Sequence, residues 1–136
     1  MESIPEQNIF SRIIEVLPEH LDDLQHVNNV VYLQYLQEIA NQHWCFVMGE
    51  AADKTGYWVV RRHEIDYLAP ALLGDQLEIR TWTGKHTASS WERHYRIVRV
   101  GDQKTLVNAG SIWVWIDAVT HRPCRIDPAV IRLFQS

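Results

Sequence analysis

From residue 57 almost to the end of the chain, apolar and polar positions alternate with the period of two that a half-buried strand requires, while residues 30–48 follow a helical spacing unbroken by glycine or proline. A shorter alternating run, 9–16, precedes them and predicts a first strand. Between the two, Pro18, His20, Asp22 and Asp23 break the pattern into a loop, and Asn28 or Asn29 offers a side-chain cap for the helix that follows. Gly49 is the natural stop, since glycine takes the left-handed conformation after a last turn at little cost. Along the helix Leu33, Leu36, Ala40, Trp44 and Val47 form an apolar stripe that Val31, Tyr35, Ile39 and Phe46 widen, leaving a narrow polar strip of Gln34, Glu38, Asn41 and Gln42. Such a helix is expected to be wrapped by other structure.

The alternating region divides into strands over 57–67, 76–83, 91–100 and 105–117, with Pro70, Gly74-Asp75 and Gly101-Asp102 as turn signals. Four consecutive strands predict an antiparallel meander. The last strand carries Leu106, Gly110, Ile112, Val114 and Ile116 on one face and Trp113 and Trp115 on the other, so both faces expect cover, the second from another subunit. The tail, 125–136, predicts a short helical turn after Pro128. One strand, one long helix and four more strands predict an α+β domain in which a curved sheet wraps the helix.

The 136 residues suit a single domain, 1–136, and the 46% apolar and 22% charged content is ordinary for a globular chain. No apolar run reaches the roughly 20 residues of a membrane helix, and the MESIPEQN start lacks the features of a signal peptide, so no membrane association and a cytoplasmic location are expected. A net charge of −4 with scattered basic residues gives no nucleic-acid footprint. Cys45 and Cys124 are too few to staple the fold, and the histidines show no metal-type spacing. Cys45, between Trp44 and Phe46, is expected to pack as a small apolar residue.

The segment His20-Leu21-Asp22-Asp23-Leu24-Gln25-His26-Val27-Asn28-Asn29, followed by Tyr32-Leu33 and Glu38, resembles the acyl-CoA thioesterases of the 4-hydroxybenzoyl-CoA thioesterase type and their acyl-carrier-protein relatives. The resemblance continues at Tyr67-Leu68-Ala69-Pro70-Ala71 and Gly74-Asp75, and covers nearly the whole chain in order. It implies the hot-dog fold, hydrolysis of an acyl-CoA or acyl-carrier-protein thioester without a cofactor, and a homodimer or homotetramer with its pocket at the subunit interface.

The resemblance also implies that Asp22, four residues before His26, is the catalytic carboxylate, acting as general base or nucleophile. In the plant relatives an Asp, an Asn two residues on and a His two further on are linked to catalysis; here Leu24 holds the middle position. Backbone N–H groups at the helix start, at the positive end of its dipole, are the expected oxyanion donors, which lets a site work without a Ser or Cys nucleophile. Asn28, Asn29, Tyr32, Arg61 and Arg62 are candidate substrate contacts, the arginines toward CoA phosphates. His26 and Glu38 complete the candidate catalytic set. Each has a structural alternative: His26 bonding loop backbone, Asn29 capping the helix, Glu38 solvated or paired with arginine, Arg61 and Arg62 in surface ion pairs. Two other functions stand beside hydrolysis. A non-catalytic acyl-thioester-binding protein would bind without turnover, and a hydratase or dehydratase would add water to an enoyl thioester or remove it.

Overall fold

The computed structural model describes residues 8–51 and 54–135. The N-terminal residues 1–7, on which the reading of the start rests, lie outside them, as does Ser136. Seven main elements follow in order: β1 (Phe10–Glu15), α1 (Asn29–Met48), β2 (Gly56–Tyr67), β3 (Gln76–His86), β4 (Ser90–Arg99), β5 (Thr105–Asp117) and α2 (Pro128–Gln135). A 3-10 turn, Pro18–His20, sits between β1 and α1, and the Leu17 N–H donates to Nδ1 of His20 there at 3.1 Å.

The strands form one antiparallel sheet in the order β1-β3-β4-β5-β2. This corrects the four-strand meander: only β3, β4 and β5 follow one another, and β2 lies at the far edge beside β5. Local hydrogen bonds explain the crossing. The Val16 N–H donates to the Asp75 carbonyl and the Gly74 N–H to the Val16 carbonyl, so the turn at Gly74 is tied to β1 and steers β3 alongside it. Gly74 has φ +81°, a conformation that side chains disfavour. The chain leaving β2 is held at the opposite place, where the Leu68 N–H donates to the Leu106 carbonyl of β5.

One face of the sheet carries α1. Tyr32, Tyr35, Leu36, Ile39 and Ala40 meet Leu77 and Ile79 of β3, Tyr95 and Ile97 of β4 and Leu106 and Val107 of β5 in the main core. The hydroxyl of Tyr32 accepts from the Ala71 N–H at 3.1 Å, pinning the β2–β3 crossing to the first turn of α1. A second cluster joins Met48, Trp91, Trp115, Ile126, Val130 and Phe134. It closes the far end of α1 with α2, which begins at Pro128 and is capped by Asp127, whose carboxylate accepts from the Ala129 N–H at 2.9 Å.

Two expectations change here. Trp115 is covered by α2 and Trp44 within the chain, so that face of β5 needs no other subunit. The helix, by contrast, is not wrapped on all sides, because one sheet has only one face to offer it. Gln34, Gln37, Glu38, Asn41, Gln42 and Cys45 are exposed, and with them Val30 (60%) and Phe46 (72%). Cys45 therefore does not pack in this chain.

The Asn28 side chain accepts from the Val30 N–H at 3.0 Å, which settles the cap on Asn28 and makes Asn29 the first helical residue. In β2 a bulge at Arg61 shifts the register between Val60 and Arg62, so Trp58 and Val60 point inward before it and His63 and Ile65 after it. Leu36, fully buried between α1 and the sheet, tests the packing. Leu36→Ala is expected to cost about 2–5 kcal/mol, whereas the exposed Gln34→Ala stays within about 0.5 kcal/mol, both read from urea unfolding.

Candidate functional site

The loop that leads into α1 is built around Asp22. Its Oδ1 accepts from the Leu24 N–H at 2.9 Å and the His26 N–H at 3.1 Å, its N–H donates to the His26 carbonyl at 2.8 Å, and its carbonyl accepts from the Gln25 N–H at 3.0 Å. Gln25 takes a positive φ of 63° to close this turn. The Asp22 carboxylate thus spends one oxygen on the loop and keeps Oδ2, half-exposed, for other work. His26 lies beside Leu72 through an isolated β-bridge.

The start of α1 offers less than the sequence implied. The N–H groups of Val30, Val31 and Tyr32 donate to the side chain or carbonyl of Asn28, and the Asn28 N–H to the His20 carbonyl. Asn29 alone in this turn has an N–H that none of these bonds uses. The cap and the oxyanion role compete for the same donors, and the cap takes most of them.

The remaining candidates lie apart from this loop. Glu38 is exposed on the polar strip of α1, without an ion pair among the described residues. Arg61 is exposed on the bulge of β2, and the guanidinium of Arg62 pairs with Glu64 at 3.1 Å across two exposed side chains. Tyr32 has its hydroxyl on Ala71, as above, and burial raises its pKa. Tyr35 donates its hydroxyl to Nδ1 of His20 at 2.9 Å, since that nitrogen already accepts from Leu17 and carries no proton. Burial, with Tyr32 and Glu38 nearby, pushes the Tyr35 hydroxyl up to about 12.

A cavity of about 290 Å³ opens near the other end of α1, between the helix, α2 and strands β2, β4 and β5. Trp44, Trp58, Trp91, Trp113 and Phe134 line it, with the amides of Gln37 and Asn41 on its helical side. Gly56 forms part of the wall, and a Cβ there would collide with the Trp115 ring. The cavity is at the small end of ligand pockets.

Sequence reasoning missed the most unusual group in this cavity. Arg93 reaches it from β4, and only 8% of the residue is exposed. Its Nη1 donates to Nδ1 of His43 at 2.8 Å and to Oγ1 of Thr81 at 3.0 Å. No carboxylate among the described residues pairs with it; Glu92, which also borders the cavity, has its carboxylate 3.8 Å from Nε2 of His94. The signal was present in the alternation, because Arg93 shares the phase of Trp91, Tyr95 and Ile97, all of which point into the core. Burial lowers the Arg93 guanidinium to about 10, which leaves it charged at neutral pH.

His43 is stacked on Phe10, with ring centroids 5.0 Å apart, and burial together with the Arg93 charge lowers it to about 3. A guanidinium only donates, so His43 must accept at Nδ1 and stay neutral. On the same inner face Nδ1 of His63 lies 2.6 Å from Oγ of Ser111, and Nε1 of Trp113 donates to the Tyr95 hydroxyl at 3.2 Å. Among the described residues no group of three or more His, Cys, Asp or Glu side chains is placed to hold a metal ion, and no helix is long and apolar enough to cross a membrane.

A family model described as the thioesterase-like superfamily matches residues 16–134. No curated protein matches the chain significantly. Among solved structures, a thioesterase from Thermus thermophilus complexed with coenzyme A and zinc is 25% identical, with a TM-score of 0.81 and 93% of this chain and 97% of that one covered. Slr0204, a 1,4-dihydroxy-2-naphthoyl-CoA thioesterase from Synechocystis, superposes at a TM-score of 0.78 with 19% identity over 93% of this chain and 94% of that one. A 12:0-ACP thioesterase from Umbellularia californica gives 0.82 at 18% identity, covering 94% of this chain; the chain spans 50% of the plant protein's length. These likenesses establish the hot-dog fold.

The His43 environment predicts how stability depends on acidity. Unfolded, His43 takes up a proton below about pH 6.5; folded, it resists until about pH 3. The unfolded state therefore binds more protons in this window, and stability falls as pH drops from 6.5 toward 3. His43→Gln is expected to reduce that slope by up to about 1.4 kcal/mol per pH unit, measured by urea unfolding at a series of pH values. An unchanged slope would place the proton elsewhere.

Proposed function

The chain belongs to the thioesterase-like superfamily and is a thioester hydrolase, and from that premise we propose that it cleaves acyl-CoA thioesters in a site shared between two copies of itself. The observation that carries the reading is the separation of its two parts. From Asn29, beside the Asp22 loop, to Trp44, on the aromatic cavity, α1 rises about 22 Å. Asp22 cannot act on a group lodged in the cavity of its own chain.

A second copy resolves this. Strand β2 is an open edge of twelve residues, and the exposed strip of α1, with Val30, lies on the side the sheet leaves free. Pairing two β2 edges about a two-fold axis sets the α1 helices antiparallel, which brings the start of one beside the far half of the other. The partner subunit's Asp22 then faces this subunit's cavity.

In that arrangement the free Oδ2 of Asp22 takes a proton from water as the water oxygen bonds to the thioester carbonyl carbon; the C–S bond then breaks, and the departing thiolate is protonated. The Asn29 N–H, left over by the cap, is the donor placed to meet the developing oxyanion. Direct attack by the same carboxylate oxygen, giving an anhydride that water opens, is the nucleophilic variant. Arg61 and Arg62, exposed on the same edge strand, suit the phosphates of coenzyme A, and Arg62 would exchange Glu64 for them. Loss of Glu64 as a partner costs little at such an exposed pair. His26, at the Asp22 turn, orients the thioester, and Glu38 lies on the interface side of α1.

Asp22→Asn separates chemistry from architecture, because an amide oxygen still accepts from the Leu24 and His26 N–H groups. The variant is expected to keep its melting temperature and to lose about 10²–10⁴-fold in kcat against a panel of short, long and aromatic acyl-CoAs. Wild-type turnover by Asp22→Asn, with loss in Glu38→Gln instead, would move the chemistry to the helix carboxylate. Sedimentation should show a dimer or a dimer of dimers; an active monomer would refute the shared site.

A further inference from the structure

Burying a charged side chain in an apolar site is costly unless something compensates it. Arg93 is nine-tenths buried, and its protein partners, His43 and Thr81, are both neutral and both served from Nη1. Nε and Nη2 form no hydrogen bond among the described residues, and the guanidinium borders the cavity. Replacing such a charge by a packed apolar residue is often neutral or stabilising, so core packing does not explain it. The rings of Trp44, Trp58, Trp91, Trp113 and Phe134 that line the cavity beside it provide no counter-charge.

Resting on the reading of the cavity as the acyl pocket, we propose that Arg93 selects acyl thioesters whose far end carries a carboxylate. A guanidinium whose Nε and Nη2 are both free keeps one edge that matches a carboxylate in a bidentate pair. The cavity holds only about 290 Å³, so such a group would be a short dicarboxylic half-thioester or a carboxyaryl thioester rather than a long chain. Hydrolysis of that substrate releases a free dicarboxylic acid and the thiol. His43 is a positioning residue: neutral and packed between the Phe10 and Phe134 rings, it holds the guanidinium plane through Nη1 and leaves the other donors to the ligand.

The test compares adipoyl-CoA with hexanoyl-CoA, and 4-carboxybenzoyl-CoA with benzoyl-CoA, in the full chain and in Arg93→Met and Arg93→Lys. Wild type is expected to favour the carboxylated member of each pair by about 10- to 100-fold in kcat/KM. Arg93→Met should abolish or invert that ratio, and Arg93→Lys, with charge but no fork, should keep part of it. Equal kcat/KM for both members in wild type, or an unchanged ratio in Arg93→Met, overturns the inference while leaving the hydrolase intact. Should no thioester be cleaved, the proposed reaction fails, and calorimetry with free adipate decides the pocket alone. Adipate bound by wild type and not by Arg93→Met supports the carboxylate site; no heat from wild type rejects it.

Discussion

A twenty-residue helix laid on a single sheet face can bury only one of its sides. The rest of the molecule is arranged around that limit. The buried side sets the core, with Leu36 and Ile39 against β3, β4 and β5, and it fixes the inward phase of every strand. The unburied side keeps amides, a glutamate, a thiol and two large apolar residues in the open, and the β2 edge of the sheet is likewise unpaired within the chain. A fold that leaves a helix face and a sheet edge open has a surface suited to its own copy, because a two-fold axis can satisfy both at once.

The cavity follows from the same limit. Toward the far half of α1, large aromatic rings from α1, α2, β2, β4 and β5 meet and fill the space between them unevenly. Tryptophan is too rigid to close every gap in such a region. Into that gap the sheet sends an arginine, held by a histidine that burial keeps neutral. The arrangement is polar at one point and apolar everywhere else, which is how small-molecule sites combine affinity with orientation.

Much of this was legible in the chain. The long helix, five strands, a cap at Asn28 or Asn29, the Gly49 stop and the α2 start at Pro128 all come from local rules of capping and alternation. The place of β2 did not, because strand order depends on where distant turns are anchored, here the Val16–Gly74–Asp75 bonds. The slip of inward phase at Arg61 was written in the sequence as Trp58 and Val60 on even positions and His63 and Ile65 on odd ones, but periodicity reads such a slip as noise unless a bulge is allowed. Arg93 was equally visible by phase and was passed over because a charged residue is expected outside. Asp22 was found through motif resemblance, and the structure adds that one of its oxygens also holds the loop together.

The bulge in β2 bears on solubility as well as on register. A long, flat, unpaired strand is a template for open-ended addition of further chains, and β-rich proteins blunt such edges with kinks and charge. Here the extra residue bends the edge midway and sets Arg61 and Arg62 side by side on it, while the opposite edge, β1, is only six residues long and carries Arg12 and Glu15. Edge pairing of this sheet can therefore reach a matched copy bent the same way and stop there, so the fold resists growing into a fibre.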